Sequence, residues 1–433
     1  MARPPVASVG AFALIPRART VLLLLLLAAA LAFTACGGGG TSSPPATATP
    51  SPEPTATPDP GPPEIDRARI VEHVRKLSEE IGPRITGSAA EQAAVDYAQA
   101  QLQSYGYQVD VQTFSATGDL LRDVSVTPEG GTAIRGVMFA LSGQGTATGP
   151  LVDVGPGTSN EYPNASGAVV LAQRGEERFS EMALRALRAG AVALVVANNE
   201  PGPFQGGMAN QVSLPVIAIG QEEGASLRVA GPVQVTVTVG TTPQVTSHNV
   251  IARQPGTACM TLSGAHIDSV WWAAGANDNA SGSAVVLELA RVAAASGMSG
   301  HCFALWGAEE VGLLGSAFFV AAVGRDDRTA LQAYINYDVA GSNATPRAIG
   351  GQQLLDRVGP LASGLGLSLE MSTEEPQIGS DHRSFARGGF PVVMLTTPGK
   401  IHTPSDTLAN LDPAYAEPLA RLGLALMREL EAA

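Results

Sequence analysis

The sequence predicts an α/β protein, a mixed and mostly parallel sheet covered by helices, with a β-rich domain inserted into it. Three observations carry this reading. From His248 onward, short apolar runs alternate with helical stretches, the pattern of a sheet with helices on its faces. Between about Ser115 and Thr246 the texture changes to short Val-rich segments set between Gly and Pro turns. Acidic and histidine residues follow several of the later apolar runs, so a sheet would bring them to one edge.

The N-terminus reads as an export signal over residues 1–36. Arg17 and Arg19 precede the apolar run Val21 to Phe33, which is shorter than the ~20 residues of a membrane span. Phe33-Thr34-Ala35-Cys36 is similar to a bacterial lipobox, with small Ala35 before Cys36 and Phe33 where Leu is usual. The expectation is a lipid on Cys36 and attachment to the outer face of the cell membrane; plain cleavage beside an incidental cysteine is the alternative. Residues 37–63, rich in Gly, Thr, Ser and Pro, form a linker that has nothing to bury.

Folding is expected from about Ile65. Ile70, Val74 and Leu77, then Ala94, Ala98 and Leu102, recur at helical spacing. Gly82-Pro83-Arg84 separates the two helices and Ser88 caps the second. Tyr107 to Phe114 alternates as a strand does. The inserted domain, 115–246, has apolar strands at Gly167 to Ala172, in the stretch Ala189 to Val196 where a helix end runs into a strand, and at Leu214 to Ile219, with helix around Arg178 to Gly190. It holds no cluster of histidines and carboxylates. The main domain, 64–114 and 247–433, continues with strands at Asn249 to Gln254, Cys259 to Ala265, Cys302 to Trp306, Ala333 to Tyr337 and Pro391 to Leu395. Ser281 to Ala295 is a helix burying Val285, Val286, Leu289 and Val292, and Pro413 to Ala433 closes the chain as an amphipathic helix.

Composition narrows the function. Of 433 residues 45% are hydrophobic and 15% charged, as in a globular protein. Formal charge is −13, and a chain starting at Cys36 loses three arginines and no acid. Phosphate backbones would repel such a body, so nucleic acid is not an expected partner. Cys259 and Cys302 each lie seven residues before a candidate site residue, which suggests neighbouring strands at one level. Outside the cytosol they can form a disulfide, or remain two buried thiols.

The candidate site residues are His266, Asp278, Glu309, Glu310, Asp338 and His402. Singly each is weak: a Glu pair is usually a solvated face, and a buried His is usually a hydrogen-bonded core residue. Jointly they give hard oxygen donors beside imidazoles, the mixture zinc prefers. A core has no use for so many carboxylates at strand ends.

These motifs resemble the di-zinc aminopeptidases of the MH clan: Ser-Gly-Ala-His266-Ile-Asp268, Gly-Ala-Asn-Asp278-Asn, Trp-Gly-Ala-Glu309-Glu310-Val-Gly, Asn-Tyr-Asp338 and His402-Thr-Pro-Ser-Asp-Thr. Gly82 to Ser88 and Ser380-Asp381-His382-Arg383-Ser384-Phe385 add to the resemblance, and 115–246 is similar to a protease-associated domain. The resemblance implies a phosphorylase/hydrolase-like zinc exopeptidase fold acting on peptides with a free N-terminus. His266 and Asp338 would bind one zinc, Glu310 and His402 a second, and Asp278 would bridge both. Asp268 would orient His266, Glu309 would be the general base, and a cis peptide would follow Asp278. Some relatives have a tyrosine where this chain has Ile401, so the oxyanion would rest mainly on the metals. His73, His248 and His301 are read as structural or exposed, and His382 is not read as a ligand. Trp271 and Trp272 either wall the pocket or pack. Related chemistries stay open: a glutaminyl cyclase, a glutamate carboxypeptidase using Arg383 or Arg387 as a carboxylate clamp, or a non-catalytic receptor.

Overall fold

The computed structural model describes residues 63–159, 162–231, 233–373 and 379–433, with 325–327 described by backbone alone. The expected export signal, with Cys36, and the expected linker up to residue 62 lie outside the described residues. Among the described residues no helix is long and apolar enough to cross a membrane.

Eight strands form one mixed sheet, in the order Gln108–Thr117, Gln244–Arg253, His301–Trp306, Thr261–His266, Ala333–Tyr337, Val392–Thr396, Arg347–Gly350 and Glu370–Ser372. The four strands from His301–Trp306 to Val392–Thr396 run parallel. Every residue of Thr261–His266, His301–Trp306 and Ala333–Tyr337 is buried, as strands covered on both faces must be. Strand alternation divides the cover. Phe303 and Leu305 face helices Arg67–Arg75, Gly282–Ala295 and Pro413–Ala432, while Cys302, Ala304 and Trp306 face the Phe319 and Phe385 side. The expected apolar face of Gly282–Ala295 is buried, and so is almost every other residue up to Ala293. A helix enclosed on all sides no longer shows one apolar stripe.

Ser88 caps helix Ala89–Ser104 by accepting the Glu91 N–H at 3.2 Å. Strands Gln108–Thr117 and Gln244–Arg253 pair antiparallel along their whole length, Thr117 opposite Gln244. Between these two positions the chain builds the second sheet, also eight-stranded: Ile134–Arg135, Val124–Pro128, Gln234–Val239, Gly145–Asp153, Val169–Gln173, Ala193–Ala197, Val216–Ile219 and Val137–Met138.

Several elements escape the apolar pattern. Strand Glu370–Ser372 is short and largely exposed, and helix Gln352–Gly364 carries Pro360 within it. The cysteines are bonded to each other, but they are not level: Cys302 stands opposite Leu262, and Cys259 precedes its strand. Equal spacing to later residues misled here, because Glu309 lies beyond its strand end whereas His266 closes its own.

Candidate metal centre

The site lies at the carboxyl ends of the four parallel strands, where open α/β sheets leave a crevice. His266 is the last residue of its strand, and Asp338 directly follows Ala333–Tyr337. Glu309 and Glu310 lie just beyond His301–Trp306, and His402 lies beyond Val392–Thr396. Asp278 sits in the irregular turn Ala276–Ser281 that enters the central buried helix, and its peptide bond to Asn279 is cis. Ala308, Val339 and His402 have φ of 58°, 56° and 53°, a left-handed conformation that side chains with a Cβ seldom adopt. Each is a site residue or its immediate neighbour, so the surrounding packing holds these loops in strained paths.

All the sequence-derived candidates converge. His266 Nε2 lies 3.1 Å from Asp278 Oδ1, 3.4 Å from Asp338 Oδ1 and 3.9 Å from Glu309 Oε2. His402 Nε2 lies 3.0 Å from Asp278 Oδ2 and 3.0 Å from Glu310 Oε2. Two triads result, His266–Asp278–Asp338 and Asp278–Glu310–His402, each with its ligand atoms within 4.8 Å of one another. Asp278 belongs to both and turns one oxygen to each. Adjacent Glu309 and Glu310 approach different imidazoles.

The donor set fits cations. Burial opposes charge on His266, yet Glu309 and Asp338 outweigh it and hold the imidazole well above its ordinary pKa. Burial likewise opposes charge on His402, and Glu310 and Asp278 reverse that too. Burial drives Glu309 well above the usual carboxylate range, with Asp338 and Glu310 adding to it. Asp338 Oδ1 is buried and makes no hydrogen bond. Four carboxylates packed around two imidazoles are short of positive charge, and nitrogen with oxygen donors in near contact is a zinc-type set.

Asp268 lies behind His266 and holds the neighbouring loop as well. The Nδ1 of His266 is 3.1 Å from the backbone carbonyl of Asp268 and 3.7 Å from its carboxylate. That carboxylate also accepts the N–H of Glu309 at 3.1 Å, the N–H of Glu310 at 3.2 Å and the Thr86 hydroxyl at 2.9 Å. It therefore fixes the loop that carries both glutamates.

Two functional supports were missed. Fully buried Arg84 donates to the carbonyls of Ile267 and Gly275 at 2.7 and 2.8 Å, joining the His266 strand to the Asp278 turn. Asp406 is buried and accepts the N–H groups of Asn277 and Asp278. Both stand inside motifs quoted above, Gly82-Pro83-Arg84 and His-Thr-Pro-Ser-Asp-Thr, but spacing does not announce a buried acceptor. The remaining candidates divide. His73 and His301 are buried beside Tyr97 and Thr261 hydroxyls at 2.6 and 2.7 Å. Arg387 is exposed on helix His382–Arg387, while His382 is fully buried. Trp272 is buried and donates its Nε1–H to the His402 carbonyl at 2.9 Å. A loop of the second sheet's domain also touches the centre: Gln205 donates to the Glu310 carbonyl at 3.2 Å. A cavity of about 500 Å³ there is lined by Arg122, Met138, Leu141, Gln205, Glu310 and Val311 among others.

Comparison with known proteins agrees with this geometry. Residues 249–427 match peptidase family M28, and residues 147–227 match the PA domain. A probable lipoprotein aminopeptidase, LpqL of Mycobacterium tuberculosis, is 36% identical over 300 residues, 63% of this chain and 59% of the relative. Aminopeptidase YwaD of Bacillus subtilis is 31% identical over 288 residues, 62% of this chain and 61% of the relative. The chain thus spans about three-fifths of the length of these curated relatives. The solved structure of a zinc aminopeptidase from Bacillus subtilis superposes with a TM-score of 0.71 at 26% identity, covering 84% of this chain and 95% of that one.

Proposed function

We propose that this chain, whose residues 249–427 match peptidase family M28, is an exported zinc aminopeptidase that removes the N-terminal residue of peptides. A lipid on Cys36 tethers it to the outer face of a bacterial membrane, a reading supported by the lipoprotein name of the mycobacterial relative. Residues 64–114 and 247–433 form the peptidase domain and 115–246 the inserted protease-associated domain. One observation carries the activity: two triads share Asp278, with Glu309 held beside them.

His266 and Asp338 would hold one zinc ion, Glu310 and His402 a second, and Asp278 would serve both. Zinc bound there would supply a lowered pKa for water and polarisation of the scissile carbonyl. Glu309 takes the proton that the attacking water releases and gives it to the leaving amine. Asp268 keeps Glu309 and Glu310 in place through their N–H groups. The substrate's free ammonium is drawn to the acidic rim, which selects the chain end.

The test is hydrolysis of aminoacyl anilides and free-amine peptides against N-blocked peptides, before and after chelation and zinc return. Cleavage of free-amine substrates alone, lost on chelation and restored by zinc, is expected. Preferential cleavage of N-blocked peptides would point to a carboxypeptidase-like reaction instead. Mass spectrometry of the mature N-terminus should find the lipid on Cys36; an unmodified peptide there would remove the anchor from this proposal.

A further inference from the structure

We propose that Asp406, acting with Asn277, is a positioning residue that sets the spacing of the two metal triads by tying together three loops that carry their ligands. The proposal rests on the metal-binding reading given above. Asp406 is 4% exposed. One carboxylate oxygen accepts the Asn277 N–H at 2.6 Å and the other accepts the Asp278 N–H at 3.1 Å. Its own N–H donates to the Thr403 carbonyl at 3.0 Å, beside His402. The His402 loop and the turn of the shared ligand are therefore joined through one carboxylate.

Asn277 extends the tie to the third loop. Its side-chain oxygen accepts the Gly341 N–H at 2.8 Å, and its amide donates to the Ser342 hydroxyl at 2.6 Å. Ser281 completes the join, donating to the Asn277 carbonyl at 2.7 Å and accepting the Ala340 N–H at 2.8 Å. Asp338 begins this loop. A carboxylate is required at 406 because two buried N–H groups converge on it and both its oxygens accept. An amide has one acceptor oxygen and would set its own N–H₂ against the other donor. Partners of this kind orient metal ligands, and losing one typically weakens metal affinity or activity about 10- to 100-fold.

The experiment uses the full chain with Asp406→Asn and Ser342→Ala. Zinc affinity is read by competition with a chromophoric chelator, ligand geometry by the visible absorption of the cobalt(II) form, and kcat and KM are measured separately. For Asp406→Asn we expect zinc affinity about 10- to 100-fold weaker, an altered cobalt spectrum, and a fall in kcat rather than a rise in KM. Ser342→Ala should show the same signature at about 2- to 10-fold, since it removes one neutral hydrogen bond. A merely structural role would lower the melting temperature of both variants with zinc affinity and cobalt spectrum unchanged, and that result overturns the proposal. If Asp406→Asn does not fold, the Ser342→Ala zinc titration and cobalt spectrum decide alone. His266→Ala separates the two levels: retention of full zinc there would overturn the metal reading and this proposal with it. Loss of zinc in His266→Ala beside wild-type binding in both positioning variants sinks only the positioning role.

Discussion

The described residues form two eight-stranded sheets, and their strands are hard to tell apart by burial. Val169–Gln173, Ala193–Ala197 and Val216–Ile219 of the second sheet are as apolar and nearly as enclosed as Thr261–His266 and His301–Trp306 of the first. The difference begins where the strands stop. Beyond the second sheet's strands the polar groups satisfy one another: Arg174 donates to the Asn198 side chain at 2.9 Å, Gln173 to the Asn198 carbonyl at 2.8 Å, and Asn198 to the Gly202 carbonyl at 2.8 Å. Beyond the first sheet's strands, carboxylates crowd two imidazoles and Asp338 Oδ1 goes without a hydrogen bond. Apolar strands build either sheet; unmet electrostatic demand at the strand ends marks the one with chemistry.

The largest expected effect tests that demand directly. His266→Ala should lose zinc and nearly all turnover together, by metal analysis and an aminoacyl anilide assay. Glu309→Gln should cut kcat by about 10²- to 10⁴-fold with zinc content unchanged, the scale of a lost general base. If zinc fell with it, Glu309 would be a ligand and the division between the adjacent glutamates would be wrong. The matching change in the second sheet, Asn198→Ala, strands buried partners. It should cost about 1–3 kcal/mol in urea unfolding, with zinc content and kcat kept. Loss of zinc there would erase the contrast between the sheets. Gln205→Ala lies between these cases, since its amide reaches the Glu310 carbonyl from a loop between two strands of the second sheet. A change of a few-fold in kcat/KM, without loss of zinc, would show that the inserted domain steadies the site.

How much of this was legible follows the same division. Periodicity marked the central strands, because Cys302 to Trp306 and Ala333 to Tyr337 are continuous apolar runs bounded by turns, and buried parallel strands look like that. It missed Glu370–Ser372, which buries almost nothing, and misread helix Gly282–Ala295 as one-sided. The six candidate residues stood out because carboxylates and histidines after apolar runs are costly unless they are used. Asp406 and Arg84 were not, since a single acid or arginine is ordinary in sequence and becomes unusual only when burial and partners are known. Asp268 was found for its place after His266, yet its carboxylate serves the next loop, a long-range pairing that no local motif encodes.

Histidines of the first sheet's own domain give the smallest and most discriminating comparison. His73, on helix Arg67–Arg75, is buried like His266, but burial and then Arg69 push its pKa down to about 4. Acidic neighbours push His266 the other way. Since the folded pKa of His73 lies below its ordinary value of 6.5, the unfolded chain takes up this proton first as pH falls. Its stabilising contribution is complete above that ordinary value and is lost as pH drops toward about 4. Urea midpoints of the zinc-loaded protein should therefore fall between neutral and acid pH more steeply in the parent than in His73→Gln. Parallel profiles would mean that His73 takes up its proton as readily folded as unfolded, and that burial alone does not separate a core histidine from one at the metal centre.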